Sequence, residues 1–298
     1  MSNRGRNARS AKMGPNCFRS PMRNVDLHCH STVSDGLLSP AEVVALAARG
    51  GVDVLALTDH DDVAGLDEAA RSAAELGVRL IRCVEISVTW DRLTIHVVGL
   101  DIDPTHPALA DGLLQVRAGR VERAHRMADS LAAAGIPDAF EGAMAFASAH
   151  HMIGRTHFAR FLSAQGKARS VPAVFKRFLV RGKPGYVPHC CAGLEEAIGW
   201  IRAAGGIAVL AHPGRYTVGS AGMRALLQDF RAFGGTAIEV VTSNHTRDQV
   251  ERFARLADAY GLLASRGSDY HGPGESFALP GKLPPLPAGC QPVWQAWA

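Results

Sequence analysis

The sequence predicts an α/β fold in which strand–helix units wind into a sheet or barrel, with a helical segment set into it. Three observations predict this. Short apolar runs alternate with amphipathic segments from Val25 onward, glycine pairs stop several of the helical segments, and the alternation lapses between residues 107 and 190.

Taken in order, residues 1–22 are Arg/Asn/Ser-rich and aperiodic and read as a disordered basic tail. A first strand covers 25–28. Ser39-Pro40 then reads as a cap and first-turn proline for a helix over 40–49, closed by Gly50-Gly51. Next come a strand at 53–58, a helix at 62–76 and strands at 78–87 and 93–99. The stretch 107–190 reads as helical, for example over 108–134 and 171–180, with no strand. Beyond it come a helix at 194–204, stopped by Gly205-Gly206, and a strand at 207–212. A helix at 221–233, a strand at 237–241, a helix at 246–260 and a strand at 262–269 complete the body. The Pro-rich segment 280–298, with Trp294 and Trp297, is either a strap across the body or a tail. The domain reading is thus a tail (1–22), a body (23–106 and 191–279), a helical insert (107–190) and a C-terminal segment (280–298).

Hydrophobic content of 47% with 20% charged residues is ordinary for a globular protein of 298 residues. No apolar run approaches the roughly 20 residues needed to span a bilayer, and the start lacks the apolar core of a secretory signal. The six cysteines (17, 29, 83, 190, 191, 290) show no CxxC spacing, which points to a reducing cytoplasm. Net charge is +4, distributed unevenly. Residues 1–23 hold six Lys/Arg and no acid, 107–190 sum to +7, and what remains sums to −9. An acidic body beside a basic insert suits a protein that gathers cations at one place and anionic substrate next to it.

His28 and His30 stand two apart in a strand, so both imidazoles project to one face while Cys29 points away. Alone, the pair fits a polar strand end as well as it fits a metal. The later strands shift the balance. Asp35 sits in the next turn, and TDHD (58–61) puts Asp59, His60 and Asp61 at the edge of the second strand. The third strand ends at Glu85, and a fourth run carries His96. IAVLAHPG ends in His212, AIEVV carries Glu239, and SRGSDYHG carries Asp269 and His271. In parallel α/β folds the C-terminal strand ends meet at one mouth, so these residue types at nearly every strand end predict one shared centre. Mixed His and carboxylate ligation suits Mn²⁺, Fe²⁺ or Zn²⁺. Asp59 is expected to hold its loop, while Asp61 and Glu239 either support a ligand or, for Glu239, cap a strand end.

Five strings in chain order resemble the polymerase and histidinol phosphatase (PHP) family: DLHCHSTVSDG (26–36), LALTDHDDVAG (55–65), EIS (85–87), LAHPG (210–214) and GSDYHG (267–272). The resemblance implies a distorted seven-stranded β/α barrel around a trinuclear centre. It implies that His28 and His30 hold a first metal with Glu85 and Asp269, and that Glu85 bridges to a second held by His96 and His212. Asp35, His60 and His271 would hold a third. The expected cofactors are therefore three divalent ions, Mn²⁺ first, with Fe²⁺ and Zn²⁺ as alternatives. Such a centre implies a hydroxide bridging two cations as nucleophile, with Asp35, His60, His212 and Asp269 as the catalytic set.

Arg117, Arg120, Arg123 and Arg126 recur every three residues, a helical stripe that by itself reads as a solvated face. GRTHFAR (154–160) differs, because Arg155, His157 and Arg160 lie beside Gly154 and guanidinium forks suit phosphate. A helical insert with such a string resembles the PHP subgroup acting on nucleoside 3′,5′-bisphosphates and short RNA. It implies Arg117, Arg120, Arg155, His157 and Arg160 as substrate-binding residues, removal of the 3′-phosphate from a bisphosphate such as pAp, and related 5′→3′ exoribonuclease action. A sugar or histidinol phosphate phosphatase is the rival within the class, and a non-catalytic PHP binding module the rival outside it. The expected partner is a small phosphorylated nucleotide or short RNA, with no membrane and no protein partner.

Overall fold

The computed structural model describes residues 24–188 and 191–297. Seven strands lie in the order β1 (Val25–Asp26), β2 (Val54–Leu57), β3 (Arg79–Trp90), β4 (Leu93–Leu100), β6 (Ile207–Leu210), β7 (Ala237–Thr242) and β8 (Leu263–Gly267). A two-residue strand, β5 (Ala192–Gly193), pairs with β3 off this path. The helices are α1 (Pro40–Arg49), α2 (Leu66–Leu76), α3 (Pro107–Ala133), α4 (Ala139–Met144), α5 (Arg155–Ala164), α6 (Val171–Val174), α7 (Leu194–Ala203), α8 (Ser220–Ala232) and α9 (Arg247–Ala259). After the last strand the chain returns to the first. Leu27 N donates to Arg266 O at 3.0 Å and Asp269 N to His28 O at 2.8 Å, which brings seven strands to a nearly closed barrel. Gly267 permits the seam, since a Cβ there would lie 2.2 Å from the His28 Cβ.

Local chemistry sets these elements. Ser39 and Glu42 form a reciprocal capping box with Pro40 in the first turn of α1, and Thr246 with Gln249 does the same for α9. Strand alternation then sorts the side chains. Val25, Leu27, Val54, Ala56, Ile81, Cys83, Val98, Leu100 and Val209 fill the barrel interior. Leu55, Leu57, Val84, Ile86 and Ile95 face outward against the helices.

The expectation of parallel units fails at one place. β4 runs antiparallel to both β3 and β6. No helix separates β3 from β4, and a parallel pair needs a crossover. Asp91 and Arg92, both at positive φ, instead make a two-residue hairpin turn. The hairpin prolongs β3 to Trp90, so Glu85 lies in mid-strand opposite Val98 rather than at a strand end, and His96 likewise lies within β4 opposite Ser87.

The residues of α3 to α6 and the turn that follows share a core of their own, including Leu131, Phe158, Leu162, Val174 and Leu179. The first turns of α3 pack on the body instead, through Leu109, Leu113 and Val116. The C-terminal segment is a strap. Ala264 N donates to Gln291 O, Arg79 donates to Trp297 O, and Val293 is fully buried against the barrel interior. The basic tail expected over 1–22 lies outside the described residues. Among the described residues, no helix is long and apolar enough to cross a membrane.

Candidate metal centre and cleft

The side chains at the barrel mouth are set by the strands beneath them. Cys29 Sγ reaches Ala56 O and joins the outer core, which leaves His28 and His30 on one side with their Nε2 atoms 3.1 Å apart. The next loop is tied by Asp59, which accepts from Ser31 N, Ser31 Oγ and Ser34 Oγ at 2.6–2.8 Å and so fixes the turn carrying Asp35. On β3 the inward parity that buries Ile81 and Cys83 continues to Glu85 and Ser87. His212 and Asp269 stand just past β6 and β8 at φ +24° and +51°. A histidine in that region is strained by about 1–3 kcal/mol, and such strain gathers where a side chain must be aimed.

Three carboxylates organise the cluster. Glu85 Oε1 lies 2.9 Å from His96 Nδ1 and 2.8 Å from His212 Nε2, and its Oε2 lies 3.0–3.3 Å from nitrogens of His28, His30 and His60. Asp269 Oδ1 is 3.5–3.6 Å from His28, His30 and His271. Asp35 Oδ1 is 3.4 Å from His271 Nε2 and 3.9 Å from His60 Nε2. The nine expected positions therefore converge, in groups of which His30, Asp35, His60 and His271 form one, and His28, His30 and Asp269 another.

Burial alone would raise the Glu85 carboxyl, but His28, His60 and His96 hold it well below the usual range. Burial and the neighbouring His271 push His30 down to about 3, and burial with Arg215 does the same to His212. Asp35 and Asp269 overcome burial to lift His271 to about 9.

The donor set fits divalent cations on a structural observation. Asp35 Oδ1, Glu85 Oε2 and Asp269 Oδ1 are buried and lack an aligned hydrogen bond, although imidazole nitrogens surround each. Buried carboxylate oxygens are rarely left without donors, and a cation held by these oxygens and the adjacent imidazoles would satisfy them. Two further carboxylates support the cluster. Glu239 accepts from His28 Nδ1 at 2.7 Å and from His212 N at 2.5 Å. Asp61 accepts from Ser87 N and Oγ and from Arg120.

Above the cluster lies a cleft bordered by Asp35, His60, His96 and His271 from the barrel and by Arg155, Thr156, His157 and Phe175 from the helical insert. The expected substrate residues separate here. Arg155 lines the cleft and has no hydrogen-bond or ion-pair partner among the described residues, while burial and Arg215 together disfavour its charge. His157 also lines it. Its Nδ1 accepts from Gly154 N, its Nε2 is unpartnered, and burial holds its pKa down to about 4. Arg120 borders the cleft but is bonded to Asp61 and Ser87, and Arg117 donates to Asp61 O. The solvated-face expectation for that stripe fails at Arg120 and Arg123, because α3 lies across the mouth and turns them inward. Arg160 is not on the cleft. It grips Glu275 with two nitrogens and donates to Asp35 O at 2.6 Å.

Sequence reasoning missed Arg215, which donates to Asp269 Oδ2 at 2.6 Å and borders the cleft. Its signal was its place, three residues after His212. Thr156 was missed too; its hydroxyl donates to Asp35 Oδ2 at 2.7 Å.

The PHP domain profile matches residues 26–165. A 3′,5′-nucleoside bisphosphate phosphatase of Chromobacterium violaceum is 51% identical over 274 residues, covering 92% of this chain and 96% of that one. The chain belongs to the PHP family. Within that family, a 5′-3′ exoribonuclease of Haemophilus influenzae is 45% identical over 273 residues, 92% of this chain and 98% of its own. A solved structure described as an amidohydrolase from C. violaceum, with bound sulfate and no metal, superposes with a TM-score of 0.89 at 50% identity, covering 92% of this chain and 95% of that one. The PHP profile ends before His212, Asp269 and His271, but the full-length relatives cover the second half as well.

Proposed function

We propose that this PHP protein is a metal-dependent phosphoesterase that removes the 3′-phosphate from nucleoside 3′,5′-bisphosphates such as pAp. The observation that carries this reading is the unpartnered Arg155 on a cleft whose floor is the His/carboxylate cluster. A substrate with one phosphate at the cluster needs no such second cation, whereas a bisphosphate does. The names of the relatives from C. violaceum and H. influenzae support both this activity and 5′→3′ exoribonuclease action on short RNA.

On this reading His28, His30, Glu85 and Asp269 would hold one cation, Glu85 with His96 and His212 a second, and Asp35, His60 and His271 a third, Mn²⁺ being the first choice. Divalent cations, when bound, supply acidified water and neutralise phosphate oxygens. Asp35, His60, His212 and Asp269 border the reacting phosphoryl group. Arg215, fixed by Asp269, adds positive charge beside it, and Arg155 with Arg120 takes the second phosphate. His157 is neutral near pH 7, and because Nδ1 accepts from Gly154, its proton sits on Nε2, a buried atom near the Ser34 backbone. Thr156 and Arg160 hold Asp35 from the insert side. A cytoplasmic setting accords with the buried thiols of Cys29 and Cys83.

The test is product formation by Mn²⁺-loaded protein: inorganic phosphate from pAp, histidinol phosphate and 5′-AMP, and 5′-mononucleotides from a short 5′-phosphorylated RNA. Preference for pAp supports the reading, with RNA turnover as its related activity. Preference for histidinol phosphate or 5′-AMP would replace it with a monophosphatase, and no release from any would favour a binding module.

A further inference from the structure

Apart from its histidines, the cleft has one aromatic side chain among the described residues, Phe175, with Met152 as an apolar companion. Neither takes part in the chemistry above. Phe175 opens a π-helical turn, Phe175–Leu179, that directly continues α6. Such wide turns are uncommon and recur at functional sites. Val174, Phe178 and Leu179 are buried in the core of the insert, so the turn is anchored, while Phe175 packs on that core and stays only half-buried. A phenyl ring bordering a cleft whose cations are Arg120, Arg123, Arg155 and Arg215 does nothing for an anion. It suits a flat apolar group carried between or beside phosphates.

We propose that Phe175, on a cleft that Met152 also lines, is the platform on which the nucleobase of the substrate stacks; this rests on the bisphosphate reading. No Asn or Gln borders the cleft among the described residues. Stacking on the π-face recognises the base as a class. A stacked base is also compatible with a nucleotide at the end of a short RNA, because every base offers a face.

The experiment is equilibrium binding, by calorimetry on the full chain, of adenosine 3′,5′-bisphosphate and of the same ribose bisphosphate lacking the base. Phe175→Leu keeps apolar volume without a π-face, and Phe175→Trp enlarges the face; thermal melting verifies that both remain folded. Phe175→Leu should weaken the adenosine compound about tenfold and leave the base-less compound unchanged, with Phe175→Trp at least matching wild type. Equal weakening of both compounds, or no weakening of either, overturns the platform while leaving the bisphosphate reading intact. Failure of the wild-type protein to bind either compound more tightly than inorganic phosphate overturns the bisphosphate reading, and the platform with it.

Discussion

Glu239 accepts a hydrogen bond from Nδ1 of His28 at 2.7 Å at the barrel mouth, where both side chains are buried. The contact fixes the imidazole with Nε2 toward the cluster. The second oxygen of the same carboxylate holds the backbone of His212. One residue outside the expected ligand set thus orients two of its members. Replacing it by Gln keeps its shape but puts an amide where two donors must be accepted. Glu239→Gln should lower metal affinity about 10- to 100-fold, the usual effect of losing such support. Titration against a chromophoric chelator measures this, and unchanged affinity would remove Glu239 from the centre.

His60 follows β2 and Asp269 follows β8, the strands that flank β1, and both reach the cluster. Alanine at either should abolish phosphate release while circular dichroism stays that of the parent. Substantial turnover by Asp269→Ala with saturating metal would sink the ligand assignment.

Arg155 and Arg160 sit five residues apart on one helix yet should behave differently. Arg155→Ala should weaken a bisphosphate by roughly tenfold or more and a monophosphate little, since a charge-assisted bond contributes about 1.5–3 kcal/mol. Arg160→Ala, which frees Glu275 and the Asp35 carbonyl, should reduce turnover of both substrates alike and lower the melting temperature. KM and kcat for pAp and 5′-AMP, with thermal melts, distinguish the two; a bisphosphate-selective loss at Arg160 would return it to the substrate site.

The buried His157 has its pKa depressed from 6.5 to about 4. An unfolded chain takes up that proton near 6.5 and the folded one near 4. Its contribution to stability is therefore complete above 6.5 and falls as pH drops between those values, by up to about 1.4 kcal/mol per unit. His157→Asn, which can still accept from Gly154, should lose less stability than the parent between pH 7 and pH 5. Parallel pH dependences of stability for the two proteins would show that folding does not depress the His157 pKa.

Much of the fold and of the centre was legible in the sequence because the signals were local. Ser39-Pro40 sets α1, HxH places two imidazoles on one face, and nearly every strand carries a metal-binding residue type. What escaped was relational. Nothing in the chemistry of Glu85 or His96 announces that they meet diagonally across an antiparallel hairpin; only the short Asp91-Arg92 link hints at it. The arginine stripe looked solvated because the sequence does not show that α3 crosses the mouth and turns Arg120 toward Asp61. Arg160 looked like a phosphate fork because its partner, Glu275, lies 115 positions away.

The seam that closes the barrel joins Ser268 N to Asp26 across 242 positions of chain, and Val293 seats still later against Val25 and Val54. In kinetic terms this is a high-contact-order closure, whose loop entropy must be met before the seam rewards it. A nascent chain can assemble β1 to β4 early, but its apolar interior stays accessible until the last strand and the strap arrive. The chain is accordingly most vulnerable to proteolysis and aggregation in the interval before residue 293 becomes available. Pulse proteolysis of chains truncated before Gln291 would register that interval as lasting sensitivity, and protection equal to the full chain would show that the strap is dispensable for sealing the interior.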